Sequence, residues 1–240
     1  MPGPVKLEAI VLRSLRYGEA DRILHLYTVQ RGRIGAIAKG VRRARSRFGG
    51  RLEPFFQLRL VLHEGRSELL TVTGAETVAA HPRLREDARA LDSAGRACDA
   101  VARLFDTSEP HPGVFNLLAH ELALLDVDPG QATLANQLAF RLKLLVAAGL
   151  APQLGACAGC GEREHLSAFS GAAGGVVCDA CEAGSFPLSA DAHGFMTAAL
   201  AAPLARAPRA PDRALRQAER ALGETVEHHA GVRLRQAHPA

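Results

Sequence analysis

The stretch "FFQLRLVLHE", Phe55 to Glu64, decides how the first third of the chain folds. Phe56, Leu58, Leu60 and Leu62 alternate with Gln57, Arg59, Val61 and His63. Successive side chains on an extended backbone point to opposite faces, so a period of two marks a strand with one face in a core. Four neighbouring segments read the same way: "VKLEAIVLRSLRY" (5–17), "RILHLYTV" (22–29), "RIGAIAKGV" (33–41) and "SELLTVTG" (67–74). Glycines between them supply turns. Five short strands in about 75 residues fit a small closed barrel. An SH3-like barrel or a small sandwich fits nearly as well.

Beyond Pro82 the period changes. Leu84, Ala88, Leu91, Gly95, Cys98, Ala102 and Phe105 recur at spacings of four and three, one apolar stripe on a helix. A second helix is expected from Val114 to Leu125. A third starts at "DPGQ", with Asp128 as cap and Pro129 in the first turn. Its stripe is Leu134, Leu138, Leu142 and Leu145, and Gly149 and Pro152 end it. Periodicity is lost over 153–186. Helical pattern returns from Ser189 to Leu200 and, past Pro203, Pro208 and Pro211, from Asp212 to His229, where Leu215, Ala218, Leu222 and Val226 share a face. The expected class is α+β and multidomain: a barrel at 1–80, a helical domain at 81–152, a cysteine module at 153–186, and C-terminal helices at 187–240 packing on the helical domain.

Charge is distributed unevenly. The 240 residues carry a net +4. Residues 1–80 hold 14 Lys and Arg against 7 Asp and Glu, and the remainder holds 15 against 18. The excess of cations over the first third points to a polyanionic partner for that part. No apolar run approaches the roughly 20 residues that span a bilayer. The opening "MPGPVKLEAIVLRS" lacks a signal-peptide layout. Both lead to the expectation of a soluble, cytoplasmic protein, whose five cysteines then serve metal binding or burial rather than disulfides.

The most specific motif is "CAGC" followed by "CDAC". Cys157, Cys160, Cys178 and Cys181 have the spacing C-x2-C-x17-C-x2-C. Each pair sits on a tight knuckle that aims two thiolates at one point, and Gly159 and Gly161 let the first turn bend. Four thiolates around one ion make a closed structural zinc site with no position left for a catalytic water. An iron–sulfur cluster is the alternative, although paired knuckles favour zinc. The fifth cysteine, Cys98, falls on the first helix's stripe and reads as a buried small residue.

The second signal is "KGVRRARSRF", Lys39 to Phe48. Lys39, Arg42, Arg43, Arg45 and Arg47 lie in ten residues, Arg51 follows, and no acid interrupts the run. It falls between two strands, as a hairpin loop at a barrel rim would. Guanidinium forks match phosphate oxygens, and Phe48 is placed to stack on a base. Phe55 and Phe56 read as core. A solvated loop is the alternative, and the run by itself does not separate DNA, RNA or an acidic protein tail.

Motifs for catalysis are absent. There is no G-x-x-x-x-G-K-[ST], H-E-x-x-H or G-x-S-x-G. "GAAGG" (171–175) reads as a flexible loop without dinucleotide-binding spacing. His228 and His229 are expected at the carbonyls ending the last helix, and Glu19 and Asp21 as turn or capping residues. A zinc deaminase requires an H-x-E arrangement, which "EREH" (162–165) does not supply.

From Glu19 to Leu62 the chain reads "EADRILHLYTVQRGRIGAIAKGVRRARSRFGGRLEPFFQLRLVL". The acid-rich "EADRIL", a glycine-bearing strand, "KGVRR", "SRFGGRLEPF" and a further strand resemble the N-terminal barrel of the RecO family of bacterial recombination mediators. "FRLKLLVAAGLAPQLGACAGC" (140–160) resembles that family's helix leading into a zinc knuckle. The resemblance covers almost the whole chain, with its most specific part in the "KGVRR" to "PF" segment. It implies an OB fold at 1–80, binding of single-stranded DNA, annealing of complementary strands and no nucleotide hydrolysis. It also implies partnership with RecR and contact with the C-terminal tail of single-stranded DNA-binding protein (SSB), which allows RecA to load. Carried over by position, Lys39, Arg42, Arg43, Arg45, Arg47 and Arg51 are the DNA-binding candidates, with Arg13, Arg16 and Arg31 extending the patch. The SSB tail is acidic with an apolar end, so Arg141 and Lys143, beside Leu138, Leu142 and Leu145, are candidate contacts. The competing function is an RNA-binding accessory protein with an OB barrel and a zinc ribbon, stacking bases on Tyr17, Tyr27, Phe55 or Phe56.

Overall fold

The computed structural model describes residues 3–43, 45–65 and 69–237. Two compact units divide the chain, Met1–Pro129 and Gly130–Ala240.

The first unit opens with five strands, β1 (Val5–Tyr17), β2 (Asp21–Thr28), β3 (Gly32–Ala38), β4 (Gln57–His63) and β5 (Leu70–Ala79). They close into a barrel in the order β1-β2-β3-β5-β4. Strand β1 is long enough to pair with β4 over Val5–Ile10 and with β2 over Ala9–Tyr17. A bulge between Val11 and Arg13 lets it turn from one partner to the other. The parallel pairing of β3 with β5 completes the circle. A five-stranded closed barrel of this kind is OB-like, which removes the sandwich alternative. The alternation in β4 behaves as its sequence dictates: Leu58, Leu60 and Leu62 are buried while Arg59 and His63 face water. With Leu24, Leu26, Ala36 and Val72 they fill the barrel, each leucine contributing about 2 kcal/mol of apolar burial. Of the fifth strand candidate, Ser67 and Glu68 lie outside the described residues.

Two expectations are corrected in this unit. The basic loop is not a hairpin, because β5 stands between β3 and β4 in the barrel; residues 39–56 form a crossover. The helix α1 (Ala88–Leu104) is rotated from its expected stripe. Ala90, Ala94, Ala97, Cys98 and Val101 are buried, whereas Leu91 is 39% exposed. Small residues on the inner face let the helix approach β1 and α2 (Pro112–Val127) closely, and that outweighs leucine content. The Asp87 carboxylate caps α1 by accepting the Arg89 and Ala90 N–H groups. Arg33 ties β3 to this helical part through the carbonyls of Ala102 and Thr107.

In the second unit, α3 (Leu134–Ala147) starts later than expected. Residues Pro129–Gln131 form a separate 3-10 turn, and Thr133 supplies the cap, its hydroxyl accepting the Asn136 N–H at 3.2 Å. Gly149, at φ 71°, ends the helix, with Leu150 N–H closing on the Leu145 carbonyl at 2.8 Å. Strands β6 (Leu166–Ser170), β7 (Gly175–Cys178) and β8 (Phe186–Pro187) form a sheet in the order β7-β6-β8. Helices α4 (Ala190–Ala201) and α5 (Asp212–Ala230) pack on each other and on α3. Leu215, Ala218, Leu222 and Val226 form the buried face of α5, as the sequence indicates.

By compactness α1 and α2 fall in the first unit and α3 in the second. The "GAAGG" segment is no flexible loop. It is the tight β6–β7 turn, and a Cβ on Gly171 would lie 2.6 Å from the Glu224 side chain. His229 donates to the Gly171 carbonyl at 2.8 Å instead of binding the end of its own helix. Among the described residues no helix is long and apolar enough to cross a membrane.

Candidate nucleic-acid interface and metal centre

Residues 39–56 connect β3 to β4 through a chain of tight turns. Backbone N–H groups of Arg43, Ser46, Gly49 and Arg51 each bond the carbonyl three residues earlier, on Gly40, Arg43, Ser46 and Phe48. Turning by threes throws the long side chains outward, and Lys39, Arg42, Arg43, Arg45, Arg47 and Arg51 are all exposed. The middle of the loop is anchored inward. Phe48 and Leu52, 2% and 1% exposed, belong to the barrel core. Phe48 is therefore an anchor and not a base-stacking platform, and the Arg47 guanidinium lies over its ring at 4.8 Å. Phe55 is buried and Phe56 half-buried, as expected of core.

Both ends of the loop are clamped. At the start, Asp21 accepts the Gly40 N–H at 2.8 Å, and Arg42 donates its N–H to the Ala20 carbonyl and its Nη1 to the Glu19 carbonyl. At the end, Arg22 holds Glu53 by two bonds of 3.0 and 3.2 Å and also reaches the Ser14 hydroxyl. This Ser14–Arg22–Glu53 bridge was not legible in the sequence, since its members lie up to 39 positions apart and no motif joins them. Among the described residues, none of the six loop cations is ion-paired with an acid. Arg31, by contrast, is neutralised by Glu64 at 2.5 Å, while Arg13 and Arg16 are exposed. Six uncompensated cations on one preformed loop concentrate a positive field where a polyanion can approach.

The four cysteines converge. Their sulfurs all lie within 4.8 Å of one another, and Cys160 and Cys178 are 3.6 Å apart. A tetrahedral ion bound at about 2.3 Å to each sulfur sets those separations near 3.8 Å, so the donor set fits one metal ion. Gly161, at φ 83°, bends the first knuckle, and a Cβ on Gly159 would press on Cys181 Sγ at 3.2 Å. Backbone N–H groups of Cys178, Cys160 and Gly159 pull the Cys157 thiol down to about 6, whereas crowding by Cys160, Cys178 and Cys157 pushes Cys181 up to about 12. Four sulfurs this close cannot all ionise by themselves, and a cation among them resolves that conflict. Cys98 lies fully buried in α1, its thiol pushed up by desolvation, so it is unreactive.

Arg141 and Lys143, the candidate contacts for an acidic tail, both make contacts inside the second unit. Arg141 is 6% exposed, donates to the Arg235 carbonyl and faces Glu219 at 3.8 Å. Lys143 donates to the Leu200 carbonyl at 3.1 Å. Arg141 thereby ties α3 to α5 and to the segment that follows it, and Lys143 ties α3 to the last turn of α4.

The family described as "Recombination protein O N terminal" matches residues 1–81, and "Recombination protein O C terminal" matches residues 85–238. The chain belongs to the RecO family. Proteins named DNA repair protein RecO are similar along most of its length. That of Anaeromyxobacter dehalogenans (strain 2CP-C) is 38% identical, covering 96% of this chain and 93% of its own. That of Rubrobacter xylanophilus is 40% identical over 88% of each chain. That of Geobacter sulfurreducens is 38% identical over 78% of this chain and 77% of its own. The break between the two RecO matches falls just after β5, so the N-terminal match is the barrel with its basic crossover. The C-terminal RecO match contains the helices and the cysteine cluster.

Proposed function

We propose that this RecO-family chain is a non-enzymatic recombination mediator of the cytoplasm, associated with the nucleoid. It binds single-stranded DNA along Lys39, Arg42, Arg43, Arg45, Arg47 and Arg51 and anneals complementary strands. Together with RecR it acts on SSB-coated DNA, engages the SSB tail and so helps RecA load. The cysteine cluster holds one structural zinc, which stabilises the second unit and takes no part in chemistry.

The observation that carries this reading is the clamped crossover with six exposed, acid-free cations. Annealing follows from the same charge. Cations neutralise two strands that otherwise repel, and base pairing supplies the specificity that the loop lacks. An RNA-binding barrel that stacks bases across its sheet is supported less well, because of its four candidate rings Tyr27 and Phe55 are buried and Phe56 is half-covered, which leaves Tyr17 alone exposed.

The test is fluorescence anisotropy with a labelled DNA single strand, its duplex and the RNA of the same sequence, at several salt concentrations. With six phosphates neutralised, the log–log slope for the single strand is expected at roughly −4. Absence of binding at low salt overturns the proposal, and tighter binding of the RNA favours the accessory-protein reading. Accelerated pairing of complementary strands is the expected second result.

A further inference from the structure

Tyr17 is 54% exposed. Every other aromatic side chain of this tryptophan-free protein, nine phenylalanines and one tyrosine, is buried or partly buried. The position of this exposed ring is specific. Tyr17 ends β1 and pairs across the hairpin with Asp21. Directly opposed residues of an antiparallel pair project from the same face, with Cβ atoms about 5 Å apart. Asp21 uses its side chain to hold Gly40, the start of the basic crossover. The adjoining turn binds Arg42 through the carbonyls of Glu19 and Ala20. The exposed ring and the exposed cations of the crossover therefore share one rim of the barrel.

We propose that Tyr17 is a stacking platform for an unpaired base of the strand whose phosphates lie along the crossover. Phosphate contacts by arginine are indifferent to whether bases are free or paired. A ring beside them adds a preference for single strands, since only an unpaired base offers its face. Phe48, which the sequence places inside the basic run, is withdrawn into the core, so the aromatic partner comes from the neighbouring hairpin. The inference rests on the DNA-binding reading of the crossover.

The chain offers its own probe. It contains two tyrosines and no tryptophan, and Tyr27 is fully buried. Tyr27 emits as a background shielded from the strand, so the change in tyrosine emission on binding, corrected for absorption by the strand, reports on Tyr17. Full-length wild type, Tyr17→Phe and Tyr17→Ala would be titrated with an oligothymidylate and with an abasic strand of equal length. Emission quenching and anisotropy are read together. Expected are quenching by the oligothymidylate but not by the abasic strand, and full affinity with loss of that quenching in Tyr17→Phe. Tyr17→Ala should lose about fivefold or more in affinity for the base-bearing strand only. The side chain is largely exposed, so an unchanged melting temperature is expected in both variants. If wild type binds the oligothymidylate without quenching, or Tyr17→Ala binds both strands as wild type does, the platform is overturned. If wild type binds neither strand at low salt, it is the DNA-binding reading that fails.

Discussion

The Asp21 carboxylate accepts the backbone N–H of Gly40 at 2.8 Å, so an acid positions the most basic segment of the chain. Two effects of Asp21 on DNA binding then oppose each other. Its charge repels phosphate, while its hydrogen bond holds the crossover in place. Asp21→Ala removes both, and Asp21→Asn removes the charge but keeps an acceptor. If the bond is worth about 1 kcal/mol of loop order, Asp21→Ala is expected to bind a single strand about fivefold more weakly. Asp21→Asn should bind at least as tightly as wild type. Anisotropy separates the outcomes, because charge alone makes both variants bind tighter.

Reversal of two loop charges, Arg42→Glu with Arg45→Glu, is expected to weaken single-strand binding by about tenfold or more and to flatten the salt slope from roughly −4 toward −3. Both side chains are exposed, so the melting temperature should hold. Wild-type affinity in a normally melting double variant moves the DNA site away from the crossover.

Phe48 joins loop to core. Phe48→Ala should cost roughly 3 kcal/mol of stability in denaturant unfolding. Below the unfolding transition it should also raise tryptic cleavage after Arg42, Arg43, Arg45 and Arg47, since the turns lose their inward anchor. A stable variant with unchanged cleavage removes that role.

Elemental analysis of protein purified without chelator is expected to find about one zinc per chain. Stripping the metal, or Cys178→Ser, should raise hydrogen exchange over β6, β7 and α5 while single-strand binding by the first unit persists. Acidification should release the ion as the thiolates protonate. Metal-free protein with an unperturbed second unit argues against the site.

Arg141→Ala is expected to lower stability by roughly 1–3 kcal/mol, because it leaves the Arg235 carbonyl and the Glu219 carboxylate short of a partner. A variant as stable as wild type shows that these contacts do not hold the second unit together.

How far the sequence reached depends on the range of the forces involved. The strand pattern of Phe56 to His63 is written in alternate residues, and β4 follows it. The knuckles of Cys157–Cys160 and Cys178–Cys181 are written at a local spacing, and their sulfurs meet. The α1 stripe went astray because periodicity registers hydrophobicity but not fit: Ala90, Ala94 and Ala97 face inward since small residues permit close approach, and Leu91 is left outside. The start of α3 went astray because "DPGQ" satisfies the rules for a helix cap while Thr133 makes the cap that is used.

By itself, the sequence determined that a strand-rich, cationic first third precedes helices with a four-thiol module, and that Lys39 to Arg51 carries cations with no acid among them. Those properties depend on residue type and short spacing, which chain order preserves. Tertiary structure decided that the crossover is held at Asp21 and Glu53, that Phe48 turns inward and Tyr17 outward, and that Arg141 is buried. Each of these is a choice between core and water made by partners tens of residues away, which only the closed barrel and the packed helices bring within reach.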